Sequence, residues 1–322
     1  MIKVLSLFSG IGAFERALCR IGLDWELVNY CEIDRWASLS YSMVNQCDES
    51  LNLHDVRAVT AETVRDRQVD LITYGFPCQD ISIAGKQQGF VNNSGEPTRS
   101  GLFFDALRII KELQPRYAIA ENVKALTNKK FKNEFATVLS SLEDAGYNNY
   151  WSVLNAKDYG IPQNRERVFI VSIRKDVDKG DFQFPKKEPL KFRVKDILAT
   201  DVDERYTISD ALWEGHQKRK KEHKEKGNGF GYSLFNENSK YINTLSARYQ
   251  KDGSEILIEQ PDINPRKLTP KECWRLMGFM DEEFDRVHGI SNSQLYKQAG
   301  NSIVVNVLSA LLTQLFNKTE RD

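Results

Sequence analysis

The sequence predicts an α/β fold: a doubly wound, mostly parallel sheet with a second, smaller irregular domain. Three observations predict it. In the first half, short apolar runs alternate with stretches that carry apolar residues at helical spacing, the signature of strands and their covering helices. A glycine-rich turn separates the first run from the first helical stretch. Beyond about Pro185 the alternation stops, and a Lys-rich link bracketed by Pro185 and Pro189 opens a region without that rhythm.

Along the chain, residues 2–8 form an apolar run ending in Ser9-Gly10-Ile11-Gly12, and 14–21 read as a helix. Strands are predicted over 27–33, 69–75, 117–123 and 168–173, with helices over 102–113 and 131–145. The run Gln217 to Lys226 reads as a solvated, charged helix, with contact to phosphates as the alternative. Residues 302–316 are apolar at helical spacing and should pack back on the first domain. The predicted division is 1–185 with 295–322 as the larger domain and 186–294 as the smaller.

The bulk properties narrow the class. The 322 residues suffice for a sizeable core, and lysine plus arginine balance aspartate plus glutamate at a net charge of zero. A neutral balance argues mildly against a nucleic-acid partner unless charge is segregated on one face. No apolar run approaches the roughly 18 residues of a membrane span, and the N-terminus lacks a signal-peptide layout. The five cysteines, Cys19, Cys31, Cys47, Cys78 and Cys273, include no C-x-x-C pair, so neither a metal site nor a disulfide framework is suggested. Reduced thiols in a cytoplasm fit best.

The turn Phe8-Ser9-Gly10-Ile11-Gly12 lets the backbone pass close to a ligand at the start of a helix; a tight turn with no ligand is the alternative. Glu32, twenty residues past Gly12, ends the second strand, where a carboxylate can hold both hydroxyls of an adenosine ribose. Asp55 could accept from an adenine amino group. These features suit a nicotinamide cofactor and S-adenosylmethionine equally.

The segment after the third strand is more telling. Gly75-Phe76-Pro77-Cys78-Gln79 stands at the end of a buried strand, where ligands bind in such sheets. Pro77 stiffens the entry to the loop. A lone cysteine is commonly a small buried hydrophobe, but a Pro-Cys pair in a polar loop fits that poorly. The next strand ends in Glu121-Asn122-Val123, and a carboxylate there is costly unless used or paired. Arg165 and Arg167, in Gln163-Asn164-Arg165-Glu166-Arg167, are the candidate partners.

These motifs, with Leu7-Phe8-Ser9-Gly10-Ile11-Gly12 before them and Arg266-Lys267-Leu268-Thr269-Pro270, Glu272 and Gly300-Asn301-Ser302 after them, resemble the bacterial DNA (cytosine-5) methyltransferases, most closely the small enzymes of restriction-modification systems. The resemblance covers nearly the whole chain. It implies a methyltransferase fold, with the smaller domain as the target-recognition region. It implies transfer of a methyl group from S-adenosylmethionine to carbon 5 of a cytosine flipped out of double-stranded DNA. Cys78 would add to carbon 6, and Glu121, neutral through partial burial, would hydrogen-bond N3. Arg165 and Arg167 complete the catalytic set, a nearby cation such as Arg165 lowering the pKa of the thiol. Cofactor contacts fall on Phe8, Gly10, Ile11, Gly12, Glu32, Ile33, Asp55, Gly75, Pro77, Leu102, Asn301 and Ser302.

By the same resemblance, the loop from Gln79 to about Arg99 closes over DNA, with Gln79 and Ser82 in contact. Thr244-Leu245 matches a short element of the recognition region. Arg248, Tyr249, Gln250 and Lys251 around it could read base edges, or equally touch phosphates. The region looks like that of enzymes acting on short GC-rich sites such as GCNGC. A restriction endonuclease is the implied functional partner, and a monomer the implied state. Ser6 stands where many members carry Asp, and Ala13 where many carry Gly. Ile33 takes a place that is aromatic in some relatives, and the 92–100 stretch is longer than in close ones. An RNA methyltransferase on the same scaffold, a catalytically silent binding protein and a nicotinamide dehydrogenase are the competing readings. The recognition domain, the intact Cys78, Glu121 and Arg165 set, and Pro77-Cys78-Gln79 argue against them in turn.

Overall fold

A computed structural model of the protein describes residues 1–77, 99–190, 192–229 and 231–316. The chain forms two compact units. The first comprises residues 1–154, 166–186 and the C-terminal stretch from Leu308; the second comprises 155–165 and 187–307. Segments 155–165 and 295–307, assigned by sequence to the first domain, therefore cluster with the second unit.

The first unit is built on a six-stranded sheet. Its strands are β1 (Ile2–Leu7), β2 (Trp25–Cys31), β3 (Leu71–Tyr74), β4 (Tyr117–Val123), β5 (Tyr147–Asn155) and β6 (Glu166–Arg174), in the order β2-β1-β3-β4-β6-β5. The helices α1 (Ala13–Arg20), α2 (Arg35–Asn45), α3 (Phe103–Leu113) and α4 (Lys132–Asp144) lie between them in sequence. Every residue of β3 and the first four of β4 are buried, which is why these strands read as unbroken apolar runs rather than alternating ones. β5 has no such run. Most of its residues are half-buried or exposed, as suits the outermost position, and the sequence pattern did not reveal it.

The mostly parallel sheet expected from sequence is mixed. β1 runs parallel to β2 and β3, and β3 parallel to β4. β6 runs antiparallel to β4, with Glu121 opposite Phe169 and Val123 opposite Arg167. The difference matters for the site. In a parallel sheet, a motif that precedes a strand lies on the rim opposite to motifs that come after strands. Because β6 is reversed, its first residues meet the last residues of β4.

The second unit holds the short helix α5 (Val194–Ile197), the long α6 (Asp210–Glu225) and a three-stranded sheet of β7 (Leu234–Phe235), β8 (Leu257–Gln260) and β9 (Ile263–Arg266). The Ser209 hydroxyl caps α6 by accepting from the Leu212 N–H at 3.3 Å. Its inner face seats buried His216, and Trp213 meets Tyr232 edge-on at 4.7 Å. Of residues 217–226 all but His223 are exposed, as a solvated helix requires. Then come α7 (Pro270–Arg275), α8 (Asp281–Asp285) and α9 (Asn292–Asn301). Thr269 and Glu272 cap α7 reciprocally with Pro270 in the first turn. The Glu272 carboxylate is fully buried and takes both terminal nitrogens of Arg266 at 2.8 and 2.9 Å. It also accepts from the N–H groups of Ala199 and Thr269.

The last helix, α10 (Val305–Phe316), ends in the first unit, where Phe316 meets Tyr117 edge-on at 5.5 Å. The stretch Asn292–Phe316 is long and apolar enough by composition to span a membrane. It is interrupted between α9 and α10, and most of its apolar window is buried in protein, as in the core helices of a globular protein.

Gly300 is required by close approach. A Cβ there would collide with the backbone of Ser246 and Ala247. Gly300→Ala should cost about 1–3 kcal/mol through overpacking against backbone that cannot turn aside, read as a lowered midpoint in urea unfolding.

Candidate active site

In the first unit the turn after β1 is held in an unusual conformation. Phe8, although not glycine, has φ 54°, and Gly12 has φ 84°. Positive φ at a bulky residue is rare and points to a site whose surroundings over-determine it. At Gly12 a side chain would also run into Asn45 and lie 3.2 Å from Tyr41. Around Gly10 there is open space among the described residues: a Cβ would meet nothing within 4 Å.

Glu32 fixes this turn. Its Oε2 accepts from the Gly10 N–H at 2.9 Å and its Oε1 from the Asp34 N–H at 2.8 Å. Each carboxylate oxygen can accept more than one hydrogen bond. Sequence reasoning overlooked Asn52. It is buried, its Oδ1 accepts from the Glu32 and His54 N–H groups at 3.0 and 2.8 Å, and its Nδ2 donates to the Glu32 carbonyl. Next to Glu32, Ile33 is 69% exposed, as exposed as Met1 and more than any other large hydrophobic side chain among the described residues. Ile11 is buried. Asp55 is engaged within its own turn: the Arg57 guanidinium lies against both its oxygens, as close as 2.6 Å, and holds its carboxyl below the usual range. Leu102 is half-buried at the start of α3.

At the ends of β3 and β4 two motifs meet. The buried Asn122 amide donates to the Phe76 carbonyl at 3.0 Å. This fixes Gly75-Phe76-Pro77 against the strand that carries Glu121. Phe76 is anchored by Phe103, ring centroids 5.5 Å apart. Glu121 is mostly buried, and its Oε1 lies 3.0 Å from Arg167 Nε. The sequence left open which arginine meets Glu121; it is Arg167. Glu121 is thus one half of an ion pair, one of the two pairings open from sequence. Cys78, Gln79 and Ser82, with the loop to about Arg99 in which they stand, lie outside the described residues.

Arg165 sits in the second unit. It is 3% exposed, and its guanidinium donates to the carbonyls of Leu245 (2.8 Å), Gly300 (2.9 Å) and Ser302 (2.8 Å). Its terminal nitrogens are aimed at backbone; Cys78, beside which it was expected, lies outside the described residues. Its neighbours do similar work. Gln163 donates to the Leu276 carbonyl and accepts from the Leu245 N–H, and the Thr244 hydroxyl donates to the Asn164 carbonyl at 2.6 Å. Leu245 and Tyr249 are fully buried, so their side chains serve the core and face no base edge. Arg248 and Lys251 are exposed and Gln250 is partly so; Asn301 is exposed and Ser302 buried.

Comparison with known proteins gives these features a common origin. Residues 2–317 match the model of the C-5 cytosine-specific DNA methylase family. The chain is 43% identical to Type II methyltransferase M1.ScrFI of Lactococcus lactis subsp. cremoris, over 99% of this chain and 79% of that protein. It is also 43% identical to Type II methyltransferase M.NlaX of Neisseria lactamica, over 98% and 96%. Among solved structures, S. pombe Dnmt2 methyltransferase superposes with a TM-score of 0.76 at 22% identity, covering 99% of this chain and all of that one, a likeness of fold. The chain belongs to the C-5 cytosine-specific DNA methylases, enzymes that place a methyl group on carbon 5 of cytosine in DNA.

Proposed function

We propose that this enzyme methylates one short, specific site in double-stranded DNA, as the modification partner of a restriction endonuclease or as a phage-borne protective enzyme. The observation that carries the reading is the Glu121–Arg167 pair set beside the Phe76 carbonyl, where Pro77 leads into Cys78. Relatives at 43% identity that are named Type II methyltransferases support the restriction-modification context. We read the first unit as doubly wound and as the catalytic and cofactor-binding part, the second as the smaller target-recognition part, and the working enzyme as a cytoplasmic monomer.

The family depends on S-adenosylmethionine, and the turn after β1 fits it. Gly10 faces open space among the described residues, Glu32 places a carboxylate against that turn, and exposed Ile33 offers an apolar surface for a purine. Phe8, Ile11, Gly12, Asp55, Gly75, Pro77, Leu102, Asn301 and Ser302 complete the proposed set. When bound, the cofactor supplies an electrophilic methyl group.

The remaining steps belong to the chain's own residues. The target carbon is inaccessible in a duplex, so the cytosine must leave the stack. Cys78 attacks carbon 6 as a thiolate. Burial pushes the Cys31 thiol up to about 12, the Cys47 thiol up to about 11 and that of Cys273 well above its ordinary value; these three stay protonated and unreactive. Glu121, protonated, donates to N3 and so takes up the negative charge that thiolate addition builds on the ring, while Arg167 holds the carboxyl group in place. As carbon 5 gains its methyl group it becomes tetrahedral; transfer of its proton to water, return of the N3 proton to Glu121 and departure of Cys78 as a thiolate restore the aromatic ring. Gln79 and Ser82 contact DNA, while Thr244, Arg248 and Lys251 present the second unit's surface to it, with Leu245 anchoring that segment in the core.

Bisulfite sequencing of DNA from cells expressing the protein tests the reading. Protected cytosines should recur at a single short sequence. Uniform conversion with folded protein present would exclude it, and protection confined to RNA would move the substrate.

A further inference from the structure

Arg165 ties together two segments far apart in sequence. One is Thr244-Leu245, read here as facing DNA; the other is Gly300 to Ser302, read here as facing the cofactor. We propose that Arg165 is a positioning residue that couples DNA binding to cofactor binding, a claim that rests on those two assignments.

The geometry is specific to a guanidinium. One terminal nitrogen reaches the Leu245 carbonyl at 2.8 Å, and the other is shared between Gly300 at 2.9 Å and Ser302 at 2.8 Å. A planar fork spans carbonyls in fixed directions; an ammonium is a point donor on a flexible stem. The joint is stiffened from both sides. Asn155 Oδ1 accepts from the Arg165 N–H at 3.1 Å, and Gln163 Oε1 accepts from the Leu245 N–H at 3.0 Å. Gly300 can come this close only because it lacks a Cβ. Arg165 is 3% exposed, so its hydrogen bonds are not exchanged for water at small cost. Displacement of either segment therefore bears on the carbonyls of the other. Ligands that each prefer one arrangement of this joint must favour each other, and by linkage the effect is reciprocal.

The experiment measures binding, not turnover. S-adenosylhomocysteine affinity is taken by calorimetry, alone and with a duplex bearing the mapped methylation site. In the wild type the duplex should tighten the ligand at least about fivefold, within the usual range of coupling. In Arg165→Lys and Arg165→Met the ratio should fall to within about twofold of one, while each ligand still binds. A wild type that binds both ligands with no coupling, or an Arg165→Lys variant that keeps the full ratio, overturns the proposal. A folded wild type that binds neither ligand sinks the functional reading instead. If the variants do not fold, hydrogen exchange on the wild type decides. S-adenosylhomocysteine alone should slow exchange at the Leu245 N–H, and the duplex alone at the Ser302 N–H. Unchanged exchange at both overturns the coupling.

Discussion

Cys78→Ser is expected to lower methyl transfer by about a thousandfold or more and to leave DNA binding in place. Adding a nucleophile to carbon 6 requires an anion. A free thiol is a few per cent ionised near pH 7, and a hydroxyl in the same position is ionised far less. The steric change is small, so the flipped base should still be accommodated. The two halves of the expectation are measured separately, by transfer of a labelled methyl group to DNA and by gel shift with the same duplex. Transfer within tenfold of the wild type would remove Cys78 from the chemistry. Joint loss of transfer and binding would show that the substitution had disturbed the loop.

The second large effect concerns stability. Arg266→Met should destabilise the protein by about 3–5 kcal/mol, because it leaves the Glu272 carboxylate buried without its cation. The pair is almost wholly enclosed, with side-chain exposures of 7% and 0%, and both contacts are within 2.9 Å. Adding Glu272→Leu should recover only part of the loss. It removes the stranded charge, but it also deprives the N–H groups of Ala199 and Thr269 of their acceptor. Urea unfolding of the two single variants and the double variant separates these contributions. A single variant within 1 kcal/mol of the wild type would show that the carboxylate is neutralised or reached by water.

The sequence carried much of this, unevenly. Strands β1, β3 and β4 were legible because parallel strands buried on both faces write themselves as apolar runs. Glu32 and Glu121 were legible because a carboxylate ending such a run needs a use. β5 was not, since a half-exposed outer strand shows no such run. The polarity of β6 was not legible either: antiparallel and parallel strands have the same composition, and only pairing tells them apart. That is why Arg165 and Arg167, two residues apart, could not be distinguished. Consecutive alternate residues look equivalent until the chain crosses from one compact unit into the other, and there it sends Arg165 to backbone carbonyls and Arg167 to Glu121. Asn52 escaped notice because a buried amide that clamps backbone looks like any polar residue in a loop. Tyr249 was misjudged for a related reason. Its hydroxyl donates to the Ile256 carbonyl and accepts from the Leu268 N–H within the core.

The reversed strand has a consequence for how such enzymes vary in length. Arg167 reaches Glu121 through the register of β6 on β4, with Val123 opposite Arg167, and not through the intervening chain. Closing a loop costs free energy that grows only with the logarithm of its length. Insertions in the turns between β4 and β6 should therefore leave the pair intact, whereas a one-residue slip of β6 would turn Arg167 to the other face of the sheet. Spacing in the linear sequence is then a poor guide to this half of the site, and strand register a strict one.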